Sequence, residues 1–261
     1  MIRVLSSLVL IPLALSAIWF APHGWLVLLL EAVLLIAFVE YADLAAQTGV
    51  VVPKAAAGTA AVVTCAAVAW PEVPLDLVLI AAFLAASLSV LGAYQPAPHV
   101  PASAAAVLFP AFYLGLPIGT LAATRYAFGR EALLLMLLVV WVSDSAQFYV
   151  GSVAGRHGLS PATSPKKSVE GALGGLVAGT IVMVVLGRFW LPALSVLWLV
   201  GLGAVLVTLG IAGDLFESLL KRSAKVKDSS GLIPGHGGVL DRIDSLLFVA
   251  PGYYLFLRLL L

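Results

Sequence analysis

The chain has 261 residues, 62% of them hydrophobic and 10% charged, with a mean hydropathy of +1.11. Soluble domains are about half apolar and about a quarter charged, so these charges are too few to cover a water-facing surface. A net charge of +1 without a basic tail gives no sign of a nucleic-acid partner, and the length suits one polytopic membrane domain.

A spanning helix needs roughly 20 mainly apolar residues. Such stretches are predicted near 3–21, 24–43, 55–71, 75–94, 102–123, 132–151, 170–188, 192–212 and 245–261, about nine in all. The expected fold class is therefore all-α, a polytopic integral membrane protein. Arg3 followed by an apolar run from Val4 to Phe20 has the look of a signal peptide. No clear cleavage site precedes a polar domain, so the run is read as the first transmembrane helix. Pro22, Pro53, Pro71, Pro74, Pro96, Pro98, Pro101 and Pro192 fall between or at the ends of the segments, as helix breakers should.

Residues 1–100 are predicted to hold apolar helices with few polar motifs. Glu31 interrupts the second helix and Glu40 lies near its end, and neither has a partner that spacing can name. The small residues of Ala55–Ala69 would let that helix pack closely, against another subunit if the protein is a homodimer. Cys65, the single cysteine, lies in this apolar run and excludes an internal disulfide. Residues 101–261 carry the chemistry, in loops expected near 152–170 and 213–244. These follow the sixth and eighth predicted helices and so lie on one side. Their excess of Lys and Arg marks that side as cytoplasmic, with the N-terminus inside and the C-terminus outside.

The stretch WVSDSAQFYVG, Trp141 to Gly151, places Asp144 inside an apolar helix. A charge there needs a partner, a cavity or a cation. SPKKSVEG, Ser164 to Gly171, then sets Lys166 and Lys167 just ahead of a helix that Ser168 can cap. A helix N-terminus flanked by two lysines is a plausible anion site, although ordinary positive-inside charge would look the same.

The segment from Gly213 to Ser245 is richer. Asp214, Glu217, Ser218, Lys221 and Arg222 are spaced by three or four residues, so they share a face if the helix continues. Asp241, Asp244 and Ser245 repeat that spacing at the start of the last helix. Between them lie Lys227, Asp228 and the turn Pro234-Gly235-His236-Gly237-Gly238. This set suits phosphoryl chemistry. Mg²⁺ on one or two carboxylates would neutralise a triphosphate, and Lys and Arg would clamp its oxygens. Glycines would let backbone N–H groups approach a phosphate. A solvated topogenic loop is the alternative for Lys225 or Glu217 taken singly. It is weaker for Asp214 and Asp241, which sit at membrane boundaries.

The run from Ser218 to Asp244, SLLKRSAKVKDSSGLIPGHGGVLDRID, resembles the signature of phosphatidate cytidylyltransferases, the CDP-diacylglycerol synthases. The upstream WVSDSAQFYVG and SPKKSVEG resemble that family's in the same order, so the resemblance covers roughly Phe112 to the C-terminus. It implies transfer of the cytidylyl group of CTP to phosphatidic acid, with Mg²⁺; the compact length without a transit segment points to a bacterial inner membrane, and the charge bias to a site facing the cytoplasm. It maps the metal-binding residues to Asp214 and Asp241, with Ser218 beside them. It leaves room for a second, monovalent cation. Lys221, Arg222, Lys227, Arg242, Lys166 and Lys167 become phosphate ligands; Ser168, His236, Gly237 and Gly238 substrate-binding residues; and Asp144, Asp228 and Asp244 the remaining acidic candidates. Gln147 is a departure, standing where many members have a small residue. Two rivals are weaker: a CDP-alcohol phosphotransferase, whose run of spaced aspartates is absent, and an anion transporter, which would place charges near the midplane in repeated halves.

Overall fold

A computed structural model describes residues 12–50, 52–92, 100–232 and 237–261. Residues 12–20 are helical and form the described part of α1; the predicted start of that helix lies outside the described residues. Then follow α2 (His23–Gln47), α3 (Lys54–Ala69), α4 (Leu75–Gly92), α5 (Val100–Pro110), a π-helical turn (Ala111–Gly115) and α6 (Leu116–Phe128). The second half contains α7 (Arg130–Ala154), strands β1 (Gly158–Ser160) and β2 (Ser164–Ser168), α8 (Val169–Trp190), α9 (Val196–Ser223) and α10 (Leu240–Leu260). Among the described residues, six helical stretches are long and apolar enough to cross a membrane, and two shorter apolar helices join them. The protein is thus an all-α polytopic membrane protein with one small antiparallel hairpin.

Three sequence expectations change. The polar stretch 152–170 is not all loop, because β1 and β2 pair within it. The polar stretch 213–244 begins as helix, since α9 runs on to Ser223. A hydropathy boundary stops at the first charges, but Lys221 pairs with Glu217 one turn earlier and carries the helix through them. Third, the fifth predicted helix is widened at its centre. Pro110 brings no N–H to the hydrogen-bond ladder, and the next turn opens to π geometry.

The chain divides into two compact units, Met1–Tyr126 with Ser223–Arg242, and Ala127–Arg222 with Ile243–Leu261. In the first, small residues of α3 face their own neighbours. A side chain on Gly119 would come within 2.7 Å of the Cys65 carbonyl, and one on Gly115 would strike the Ala61 carbonyl. The ring of Phe38 fills the space over Gly58. Small residues of α3 are thus used for packing inside the chain. Two buried hydroxyls bond back to their own helix, Thr120 to Pro117 O at 2.6 Å and Thr124 to Thr120 O at 2.7 Å.

In the second unit α8 presents Gly171, Gly175 and Gly179 to α7 at four-residue spacing. Leu173, Val177, Ile181 and Val185 project from its other side and are exposed, as lipid-facing residues are. With no solvent to drive helices together in a bilayer, close backbone approach through glycine supplies the packing. Gly213 of α9 does the same against α10, where a side chain would meet Asp244 O at 2.6 Å.

Candidate active site

The second unit gathers charge at one end of its four helices. Asp144 lies just past the middle of α7, Asp214 in the last third of α9 and Asp244 in the first turns of α10. The three carboxylates are close enough to act electrostatically on one another. Two lysines offset part of this charge. Lys167 Nζ stands 2.6 Å from Asp214 Oδ2 with a fifth of its side chain exposed, and Lys221 acts on Asp244 while pairing with the fully buried Glu217. Ser218, one turn past Asp214, points its hydroxyl at Asp214 Oδ1 at 3.5 Å. Three like charges with few cations among them leave unneutralised negative potential, the condition in which a bound metal is favoured.

Gln147 has a place in this arrangement. Its amide donates to Asp144 Oδ1 at 3.1 Å, and its stem lies over Gly175, where a Cβ would collide with it. The larger residue is accommodated because α8 offers glycine opposite.

The hairpin brings the lysines to this end. Successive residues of a strand point to opposite sides, so Lys166 is exposed while Lys167 turns to Asp214. Glu170, in the first turn of α8, closes the base of the hairpin. It accepts from the backbone N–H groups of Arg156 at 3.0 Å and His157 at 3.2 Å, and its other oxygen lies 2.6 Å from His157 Nδ1. Arg222 Nε donates to Thr163 O in the hairpin turn at 3.4 Å. Ser168 is the N-cap of α8, accepting from Gly171 N at 3.1 Å, as its position in the sequence predicts. Ser168→Ala removes that cap and should cost about 1 kcal/mol, a melting point lower by roughly 2–4 °C in detergent. A fall within 0.5 °C would mean that water or Ser152 replaces the cap.

The first unit holds the other part of the signature. Ser223–Arg242 leaves α9, passes Lys225 at a φ of 59° and reaches α10. Lys227, Asp228 and Arg242 are exposed on it. Asp241 is buried, and its Oδ2 accepts from Ser229 N at 2.9 Å, Ser229 Oγ at 2.8 Å and Gly238 N at 2.8 Å. Gly237 has a φ of +80°, a conformation that favours glycine. His236 lies outside the described residues. Asp214 and Asp241, expected together from sequence, belong to different units.

Sequence reasoning missed Glu40. Its carboxylate accepts from Ser229 Oγ at 2.9 Å, Ser230 Oγ at 2.6 Å, Val239 N at 3.0 Å and Leu240 N at 2.8 Å. The only signal was a carboxylate near the end of an apolar helix, about 190 positions away from its partners.

Known proteins can be set beside this geometry. The sequence model of the cytidylyltransferase family matches residues 1–260. The phosphatidate cytidylyltransferase of Thermotoga maritima is 36% identical over 197 residues, 73% of this chain and 71% of that one. That of Helicobacter pylori is 38% identical over 192 residues, 72% of this chain and 66% of that protein. That of Staphylococcus haemolyticus is 40% identical over 149 residues, and the matched stretch takes in 57% of this chain and 56% of the relative. The chain thus spans little more than half to two thirds of the length of several relatives it matches.

Proposed function

The chain belongs to the cytidylyltransferase family, and from that premise we propose that it transfers the cytidylyl group of CTP to phosphatidic acid, giving CDP-diacylglycerol and pyrophosphate. The observation that carries the reading is the cluster of Asp144, Asp214 and Asp244 with Lys167 and Lys221 at one end of the second unit. A phosphate oxygen of phosphatidate forms the new bond to the α-phosphorus of CTP. The bond from that phosphorus to the bridging oxygen breaks, and its electron pair leaves with pyrophosphate. The nucleophile is already an anion, so no general base is required, and positioning with charge stabilisation suffices. Lys167, Lys221 and Arg222 hold phosphate oxygens. Lys166, exposed on the hairpin, can reach the outer phosphates, while Lys227 and Arg242 are assigned by their place in the motif. Asp144, steadied by Gln147, keeps the pocket anionic on the α7 side.

Mg²⁺ fits the donor chemistry. Among the described residues no three His, Cys, Asp or Glu side chains form a closed cage. Magnesium needs none, since one or two carboxylates, water and phosphate oxygens satisfy it. Asp214, with Ser218 at its side, supplies such oxygens; Asp241 is assigned by its place in the motif. When bound, the ion offsets the charge that develops on departing pyrophosphate.

We also assign the shorter helices to the membrane, nine spans in all, in the plasma membrane of a bacterial cell. The hairpin and the end of α9 lie together through Lys167–Asp214 and Arg222–Thr163, so Lys166, Lys167, Lys221 and Arg222 share one face of the bilayer. The positive-inside bias makes that face cytoplasmic, where CTP is available. The testing experiment is pyrophosphate release by detergent-purified protein. Release should require CTP, phosphatidic acid and Mg²⁺ together. Release without the lipid, or none from well-folded protein, rejects the assignment.

A further inference from the structure

Glu40 stands on α2, in the part of the chain with no recognisable motif, yet it is 5% exposed and fully engaged by the signature loop. Each carboxylate oxygen accepts one backbone N–H and has one serine hydroxyl within hydrogen-bond distance: Val239 N and Ser230 Oγ at Oε1, Leu240 N and Ser229 Oγ at Oε2, the Ser229 proton being shared with Asp241. Leu240 is the first residue of α10 and Val239 comes just before it, where N–H groups have no partner within the helix. An anion there is also favoured by the helix dipole. Glu40 is thus an N-terminal cap delivered from a distant helix.

A second observation points the same way. A Cβ on Gly238 would meet Ser229 Oγ and both Glu40 carboxylate oxygens. The two glycines ending the signature turn therefore have different physical reasons. Gly237 is required by its positive φ, Gly238 by the room that Glu40 takes. Ser229 connects the clamp to Asp241, lying 2.9 Å from Glu40 Oε2 and 2.8 Å from Asp241 Oδ2. A hydroxyl has one proton, so Ser229 donates to one of the two carboxylates at a time and stands within reach of both.

We propose that Glu40 is a positioning residue for the transfer reaction: it sets Ser229, Ser230 and the backbone of Val239 and Leu240, and through Ser229 the carboxylate of Asp241, in the geometry that turnover requires. The proposal rests on the function proposed above only for its kinetic part. Glutamine at this position keeps the size but offers one acceptor oxygen and turns an NH₂ group toward a backbone N–H. Aspartate keeps the charge but is one methylene short of reaching both N–H groups.

The test combines amide exchange of peptides covering Ser229–Leu240 with steady-state kinetics on the full chain in detergent. Glu40→Gln should speed exchange of those peptides by about ten- to a hundredfold, the equivalent of one or two charged hydrogen bonds, with α7 and α8 unchanged. Its kcat should fall by a similar factor with the KM for phosphatidic acid unaltered, and Glu40→Asp should recover part of both. Exchange that stays at the parent level, or that rises equally across α7 and α8, overturns the proposal, as does a kcat loss without loop loosening. Should Glu40→Gln fail to fold, Ser230→Ala decides: faster exchange confined to the loop supports the clamp, and no local change overturns it. A parent protein without turnover would reject the function and leave the exchange comparison to judge Glu40 alone.

Discussion

Asp214→Asn should lower turnover by about two to three orders of magnitude while leaving the protein folded. The separation of the two effects follows from the charges around the residue. Asp214 interacts unfavourably with Asp144 and Asp244 and favourably with Lys167 at 2.6 Å. Neutralising it removes both repulsions and one attraction, so the terms offset and the melting point should move by less than about 3 °C. The isosteric amide keeps its place beside Ser218. Lost instead is the anionic oxygen for a cation, together with the group that holds Lys167 in position. The measurement is pyrophosphate release at saturating CTP and a range of Mg²⁺, beside a thermal melt. Near-parent turnover at ordinary Mg²⁺ would remove Asp214 from the metal assignment. A melting point lower by more than about 8 °C would make it a structural residue.

Gly175→Val should be worse for the fold and as severe for activity. A Cβ at Gly175 would run into the stem of Gln147 and stand 2.9 Å from Ser143 O, which belongs to the α7 backbone. Backbone cannot step aside as a flexible side chain can, so α7 and α8 must part. Overpacking of this kind costs about 3 kcal/mol or more, a melting point lower by roughly 6–12 °C. The same displacement reaches the site. Gln147 carries the hydrogen bond to Asp144, and α8 carries Ser168 and the strand that aims Lys167 at Asp214. Turnover should therefore fall by at least about a hundredfold, the sensitivity expected when reacting groups are misplaced by about 1 Å. Val177→Leu, on the exposed side of the same helix, is the control and should change neither quantity. A stable and active Gly175→Val protein would mean that the two helices are held by something other than their glycines.

Much of the candidate site was legible because its signals are local. Lys166, Lys167 and Ser168 announce a capped helix start, and the hydrogen bond from Gly171 N has the spacing that the sequence offers. Asp214, Ser218 and Lys221 share a helical face because three and four residues bring them round, and α9 continues through all of them. Gly237 adopts a backbone conformation that a glycine in a turn foretells. The hairpin was not legible. Its strands are three and five residues long, and their polar sequence has no alternation that separates strand from loop.

By itself, the sequence determined that the chain is a bundle of apolar helices, because its apolar runs are continuous over about 20 residues, the length of a spanning helix, where barrel strands would alternate. It also determined which short segments carry charge, because motif spacing is a property of the chain. Only the tertiary structure decided partners far apart in sequence. It set Lys167 on Asp214, laid Gln147 over Gly175, and sent Glu40 from the second helix to cap the last one. A buried carboxylate must find donors somewhere, and the sequence states that need without stating where the donors are.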